Sequence, residues 1–216
     1  MIEFQNVSKS FWTGKKRKVI LDRASFRVEV GNSLGILAPN GTGKTTVINM
    51  MSGTEKPDEG RIIKTCRVGF AMGFSGGVNA KFSAHENARY IARIYGLDPD
   101  YVEAFCRWLA DLGEYFEMPL ATYSSGMRAR FNLALMLSLE FDIYLVDEGM
   151  PATLDAEFNR KAGIVMRQRL KNATVVIVSH QASTIAKFAN RAGVLLNGQL
   201  YMFDTLEEAK RLYDYA

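Results

Sequence analysis

Lys44 and Thr45 close the run Asn40-Gly41-Thr42-Gly43-Lys44-Thr45, a set of residues able to hold the phosphates of a nucleotide. The glycines let the backbone curl so that its N–H groups turn inward. The lysine ammonium reaches the β- and γ-phosphates, and the threonine hydroxyl can ligate Mg²⁺. Pro39 and Thr46 border the run. The general pattern, G-x-x-x-x-G-K-[ST], begins with glycine, and Ala38 stands in that place. If the position requires a positive φ, the added Cβ stores roughly 1–2 kcal/mol of strain. Hydrolysis also needs a second carboxylate for Mg²⁺ and a group to position water. Asp147 fits the first role, water-mediated, and Glu148, one residue on and pointing differently, fits the second as general base. His180 is placed to touch the γ-phosphate and sense its presence.

Each of these side chains needs an element to carry it. Ser33–Leu37 reads as a short apolar strand, and the helix from Gly43 to about Ser52-Gly53 adds its positive dipole end to the loop. Ile143–Val146 is an apolar strand that delivers Asp147 to its carboxyl end, beside the loop, where parallel sheets bind ligands. Thr174–Val178 is a β-branched buried strand closed by Ser179-His180. Upstream, Ile2–Ser8 and Ala24–Val30 alternate as strands, with Phe11, Trp12 and the basic turn Gly14–Lys18 between them. The basic cluster reads as a solvated loop. Arg61–Lys64 and Arg67–Ala71 read as two more strands. Ser83-Ala84-His85-Glu86 is a capping box that starts a helix to about Tyr95. Asp98-Pro99 opens another helix, with Gly113 after its last residue. These two helices, roughly Ser83 to Pro119, have no strand between them and read as a small helical insert. With the next helix, which runs through Leu139, it covers approximately 83–139. Asp155–Leu170 and Ser183–Ala189 are helical. Asn197-Gly198 marks a hairpin, and Thr205-Leu206-Glu207-Glu208 caps the last helix. His85 has no supporting constellation and reads as ordinary.

Tyr123-Ser124-Ser125-Gly126-Met127 offers a second anion site, with serine hydroxyls, exposed N–H groups and a helix dipole. One phosphate does not need two such helices from one fold. The economical arrangement is a second copy of the chain, each copy closing its Ser124-Ser125-Gly126 over the other's nucleotide. That implies a head-to-tail dimer that closes on ATP and opens after hydrolysis.

Bulk properties narrow the partners. The 216 residues, 48% of them hydrophobic, suffice for one large α/β domain with an insertion. A net charge of +4 is too weak to argue for nucleic acid. Cys66 and Cys106 lie far apart without a CxxC, which points to a reducing cytosol. No signal peptide opens the chain, and its apolar runs fall short of the ~18 residues of a spanning helix. A membrane role must come through a partner.

In order along essentially the whole chain, these motifs resemble the ATP-binding cassette (ABC) family. Asn40–Thr46 is similar to its Walker A motif and Asp147-Glu148 to Walker B with the catalytic glutamate. His180 matches the switch histidine, Tyr123–Met127 the signature and Asp155 the D-loop. Phe11 or Trp12 takes the adenine-stacking place. The resemblance implies an α/β P-loop NTPase fold, RecA-like, with an antiparallel β subdomain and a small helical subdomain. It also implies ATP and Mg²⁺ as ligands and an integral-membrane permease as partner. Tyr-Ser-Ser-Gly-Met in place of the usual Leu-Ser-Gly-Gly-Gln resembles the polysaccharide and teichoic-acid exporter branch. So does Met72–Val78, a glycine-rich stretch where the Q-loop glutamine is missing. The coupling to the permease is then expected to run through the Gly73–Val78 backbone. The stretch Gly149–Leu154 is one residue longer than the common spacer before the D-loop. With the sequence ending at Ala216, just past the core, the nearest resemblance is to short ATPase subunits of capsular-polysaccharide exporters. These work at the cytoplasmic face of the bacterial inner membrane, with envelope-spanning components as further partners. O-antigen or teichoic-acid export and a soluble, non-transport cassette are the alternatives.

Overall fold

A computed structural model of the chain describes residues 1–69, 77–147, 156–171 and 173–215. They fall into two compact units. One holds residues 1–69, 141–147 and 173–215, and the other holds 77–140 and 156–171.

The first unit contains two sheets. Strands β1 (Ile2–Thr13), β2 (Lys16–Val28) and β4 (Glu59–Lys64) form an antiparallel sheet in the order β2-β1-β4. β1 outruns the expected Ile2–Ser8, and β2 starts before the expected Ala24 but stops at Val28 rather than Val30. The basic residues Lys16–Lys18, expected in a loop, are paired strand, joined to β1 by the two-residue turn Gly14-Lys15. Gly14 meets the turn's demand with φ 61°. One sheet face is apolar, and Phe4 stacks on Phe26 across the β1–β2 pair with ring centroids 4.2 Å apart.

The second sheet has the order β5-β6-β3-β7-β8, from β3 (Leu34–Leu37), β5 (Ile143–Asp147), β6 (Thr174–Ser179), β7 (Arg191–Leu196) and β8 (Gln199–Phe203). β5, β6, β3 and β7 run parallel, and β8 is an antiparallel edge. β3 and β6 are buried on both faces, the pattern of a parallel sheet covered by helices. The β7–β8 turn sits at Asn197-Gly198, both with positive φ, as a tight hairpin turn requires. The expected strand Arg67–Ala71 does not form over its described part. Val68 makes only an isolated parallel bridge to Ile143.

α1 (Lys44–Ser52) follows β3. It buries Val47, Ile48, Met50 and Met51 on one side and stops at Gly53 in the left-handed region. Gly35 in β3 is needed for a close approach, because a Cβ there would stand 2.0 Å from Ile185 in α6 (Ala182–Ile185). That helix is shorter than the expected Ser183–Ala189. α7 (Leu206–Tyr215) is capped by Thr205, whose N–H and hydroxyl donate to Glu208 Oε2.

The second unit is helical. α2 (Ala84–Ile94) carries the expected capping box: Glu86 N–H donates to Ser83 Oγ, and Ser83 N–H to Glu86 Oε2. α3 (Pro99–Ala110) starts at Asp98-Pro99 as expected, but it stops at Asp111 in the left-handed region, before Gly113. An aspartate tolerates that conformation, so the stop signal precedes the glycine. α4 (Ser125–Ser138) and α5 (Ala156–Leu170) complete the unit. Burial pushes the Cys106 thiol up to about 12, so it is inert; Cys66 is also free.

Candidate nucleotide site

Sheet register alone assembles the edge that carries the chemistry. Leu37 pairs with Ser179, and Val178 pairs with Asp147. The carboxyl ends of β3, β6 and β5 therefore coincide. The phosphate loop leaves from β3, His180 follows β6 directly, and Asp147 ends β5. β6 lies between β3 and β5, so Asp147 ends a strand two spacings, about 9–10 Å, across the sheet from the strand that carries the loop.

The loop Ala38–Gly43 is built by short hydrogen bonds and two glycines. Ala38 N–H extends the ladder to Ser179 O at 3.2 Å. Thr42 donates from its hydroxyl to Pro39 O at 2.8 Å. Gly41 has φ 80° and Gly43 φ 104°, and a Cβ on Gly43 would stand 2.4 Å from Ile20 Cγ2. Gly43 is therefore fixed twice, by its backbone and by the hairpin pressed against it. Ala38 is fully buried and is absent from the residues of positive φ. The conditional strain at Ala38 does not arise, because this loop turns at 41 and 43 and leaves position 38 in ordinary backbone.

Lys44 folds back over the loop. Its Nζ donates to Asn40 Oδ1 at 3.0 Å and to Ala38 O at 3.3 Å. Thr45 is the second residue of α1 and Thr46 the third, within the turn whose N–H groups have no helical acceptor. His180 is exposed, its Nε2 3.4 Å from Gln181 Nε2. Glu148, Asp155, the spacer Gly149–Leu154 and residues 72–76 of the glycine-rich stretch lie outside the described residues.

The long hairpin puts Phe11 and Trp12 on different faces. Phe11 pairs with Lys18 and Trp12 with Arg17. Lys18 Nζ comes within 3.8 Å of where a Gly41 Cβ would stand, and Ile20 packs on Gly43, while Val19 faces Gly198. Cross-strand partners share a face, so Phe11 looks toward the loop and Trp12 away from it. Phe11 is 39% exposed, with Lys9 Nζ 5.0 Å from its ring centroid, whereas Trp12 is 71% exposed. Lys9 is itself clamped by Glu55 and Asp58, and these hydrogen bonds raise its pKa above the ordinary lysine value.

In the second unit, Ser124 is the N-cap of α4 and accepts from Met127 N–H at 3.2 Å. Ser124 and Ser125 are exposed. A Cβ on Gly126 would meet nothing nearer than Ser124 Oγ at 3.9 Å. The glycine is not demanded by this chain's own packing. His85 Nδ1 lies 3.0 Å from Glu103 Oε1, and Glu103 also pairs with Arg89 and Arg107.

A phosphate loop on the central strand of a parallel sheet, an acid at the end of the next strand but one, and a separate helical unit define an α/β P-loop ATPase cassette. The chain matches the ABC transporter family over residues 21–150. It is 37% identical over 214 residues to the ATP-binding protein BexA of Haemophilus influenzae, covering 99% of this chain and 98% of that one. It is also 37% identical over 214 residues to the capsule polysaccharide export ATP-binding protein CtrD of Neisseria meningitidis serogroup B, covering 99% of each. Its fold is similar to that of the ATP-binding cassette MJ0796, solved as a dimer in a post-hydrolysis state with ADP and phosphate (TM-score 0.70, 22% identity, 93% of this chain and 96% of that one). This chain belongs to the ABC transporter family, and its nucleotide ligand is ATP.

Proposed function

We propose that this chain is the ATP-hydrolysing subunit of an exporter that drives capsular polysaccharide across the bacterial inner membrane. The observation that carries the cargo is the similarity to CtrD along 99% of both chains. Among the described residues no helix is long and apolar enough to cross a membrane. The work on the membrane then falls to a separate permease.

The chemistry follows from the edge of the parallel sheet. The base of ATP stacks on Phe11. The phosphates enter the loop Pro39–Gly43, and Lys44 exchanges Ala38 O and Asn40 Oδ1 for β- and γ-phosphate oxygens. The Thr45 hydroxyl and the Asp147 carboxylate are hard oxygen donors, the kind Mg²⁺ takes. Thr45 and Asp147 would hold Mg²⁺, which when bound would supply neutralisation of charge on the transferred phosphoryl group. Glu148 orients and deprotonates the attacking water, and His180 contacts the γ-phosphate. Ser124, Ser125 and Gly126 close over the ATP of a second copy, which explains a glycine that its own fold leaves unconstrained. Loss of the γ-phosphate removes what both copies grip, so the head-to-tail dimer opens. The permease docks on the helical unit, where Phe82, Glu86, Tyr90 and Arg93 line a cavity of about 340 Å³ along α2.

Deletion of the gene in its own bacterium tests the cargo. Polysaccharide trapped in the cytoplasm is the expected result, and its composition separates capsule from O-antigen or teichoic acid. Normal surface capsule in the deletion strain overturns the proposal.

A further inference from the structure

We propose that Lys18 is a second cation of the nucleotide site, contacting the phosphate chain of a bound nucleoside di- or triphosphate. It lies outside the motifs that define the family, on a hairpin whose basic residues look like a solvated loop in sequence. The inference rests on ATP occupying the loop.

Three observations carry it. Lys18 Nζ reaches within 3.8 Å of the Gly41 Cβ position, at the curled part of the loop. Its cross-strand partner is Phe11, so the ring and the ammonium share the face that Ile20 presses against Gly43. Base platform, cation and phosphate loop thus lie side by side, and a nucleotide on Phe11 must pass Lys18 to reach Gly41. Finally, Lys18 makes no hydrogen bond or ion pair among the described residues, whereas neighbouring Arg17 donates to Ser10 Oγ at 3.0 Å. An ammonium unpaired among the described residues, beside the loop N–H groups and the N-terminus of α1, puts positive charge on this side of the loop. A phosphate chain is the anion that this geometry fits.

The contact is to phosphates shared by ATP and ADP, so it binds both and does not act on the transferred group. Equilibrium binding of ATP and of ADP to the purified chain tests it, with Lys18→Gln, Lys18→Arg and Arg17→Gln as variants. Arg17→Gln removes the same charge from the other face of the strand. The expected result for Lys18→Gln is roughly tenfold weaker binding of both nucleotides at low salt, the scale of one charge-assisted contact. The loss should shrink at high salt, which screens exposed charges. Lys18→Arg and Arg17→Gln should stay within about twofold of the unmodified chain. In turnover, KM should rise with kcat nearly unchanged, the mark of an interaction made equally in ground and transition states. Lys18→Gln binding as tightly as the unmodified chain, or Arg17→Gln weakening binding as much as Lys18→Gln, overturns the assignment and leaves the ATPase reading intact. An unmodified chain that binds neither nucleotide overturns both.

Discussion

At the scale of the residue, Ala38 shows how a departure from a motif is absorbed. Its Cβ is fully buried and its φ is not positive, so the methyl packs without strain. Ala38→Gly should therefore destabilise by about 1 kcal/mol, through a lost buried methyl and a freer unfolded backbone. For a chain of this size that lowers Tm by roughly 2–4 °C. ATP affinity should change less than about twofold, because position 38 offers the site only its backbone oxygen. Calorimetry and nucleotide titration check both; a more stable variant would reveal strain at Ala38. Gly43 is the opposite case, required by φ 104° and by Ile20 against it.

At the scale of the element, the α2–α3 pair depends on one carboxylate. Burial opposes ionisation of Glu103, but hydrogen bonds from Arg107 and Arg89, with the His85 imidazole beside them, prevail and lower its pKa from 4.5 to about 2. A depressed carboxyl stabilises the fold fully above its unfolded pKa. The contribution is lost as pH falls from about 4.5 toward 2. Glu103→Gln should destabilise the fold near neutral pH by an amount on the order of 1–2 kcal/mol after screening. The gap between the variant and the parent should close as pH falls through that window. Urea midpoints measured from pH 6 down to pH 3 decide it, and a gap independent of pH would remove the network from the account. His85, read from sequence as ordinary, belongs to this structural network.

At the scale of the whole molecule, the proposed function makes the site half of an assembly. Among the described residues, a Cβ on Gly126 would meet only Ser124 Oγ, at the ordinary contact distance of 3.9 Å. Gly126→Asp should leave the fold and monomeric ATP binding intact but place a carboxylate against the partner's phosphates. Glu148→Gln should hold ATP without turnover. Size-exclusion chromatography with ATP is expected to show a dimer for Glu148→Gln and a monomer for the double variant Glu148→Gln/Gly126→Asp. A double variant that still dimerises would exclude Gly126 from the contact. Steady-state hydrolysis by Glu148→Gln at the parental rate would remove Glu148 as the base.

The local signals were legible in sequence because each is written in a few adjacent residues. The capping box at Ser83–Glu86, the turn at Asn197-Gly198, the Ser124 cap and the loop Asn40–Thr45 all answer to nearest-neighbour chemistry. Motif order along the chain was enough to indicate the family. Pairing was not legible. Which strand separates β3 from β5, where β1 and β2 meet, and which of Phe11 and Trp12 faces the loop are all set by hydrogen bonds between residues distant in sequence. The turn at Gly14-Lys15 was the one local clue to that register, and reading the basic run as a loop hid it. Alternation in a strand shows that two faces exist, and only packing decides which face meets the nucleotide. The sequence by itself marked the loop, its lysine and the acids that follow an apolar strand. Tertiary structure brought the loop and the end of β5 to one edge and set Lys18 beside the loop, because register is a property of strand pairs.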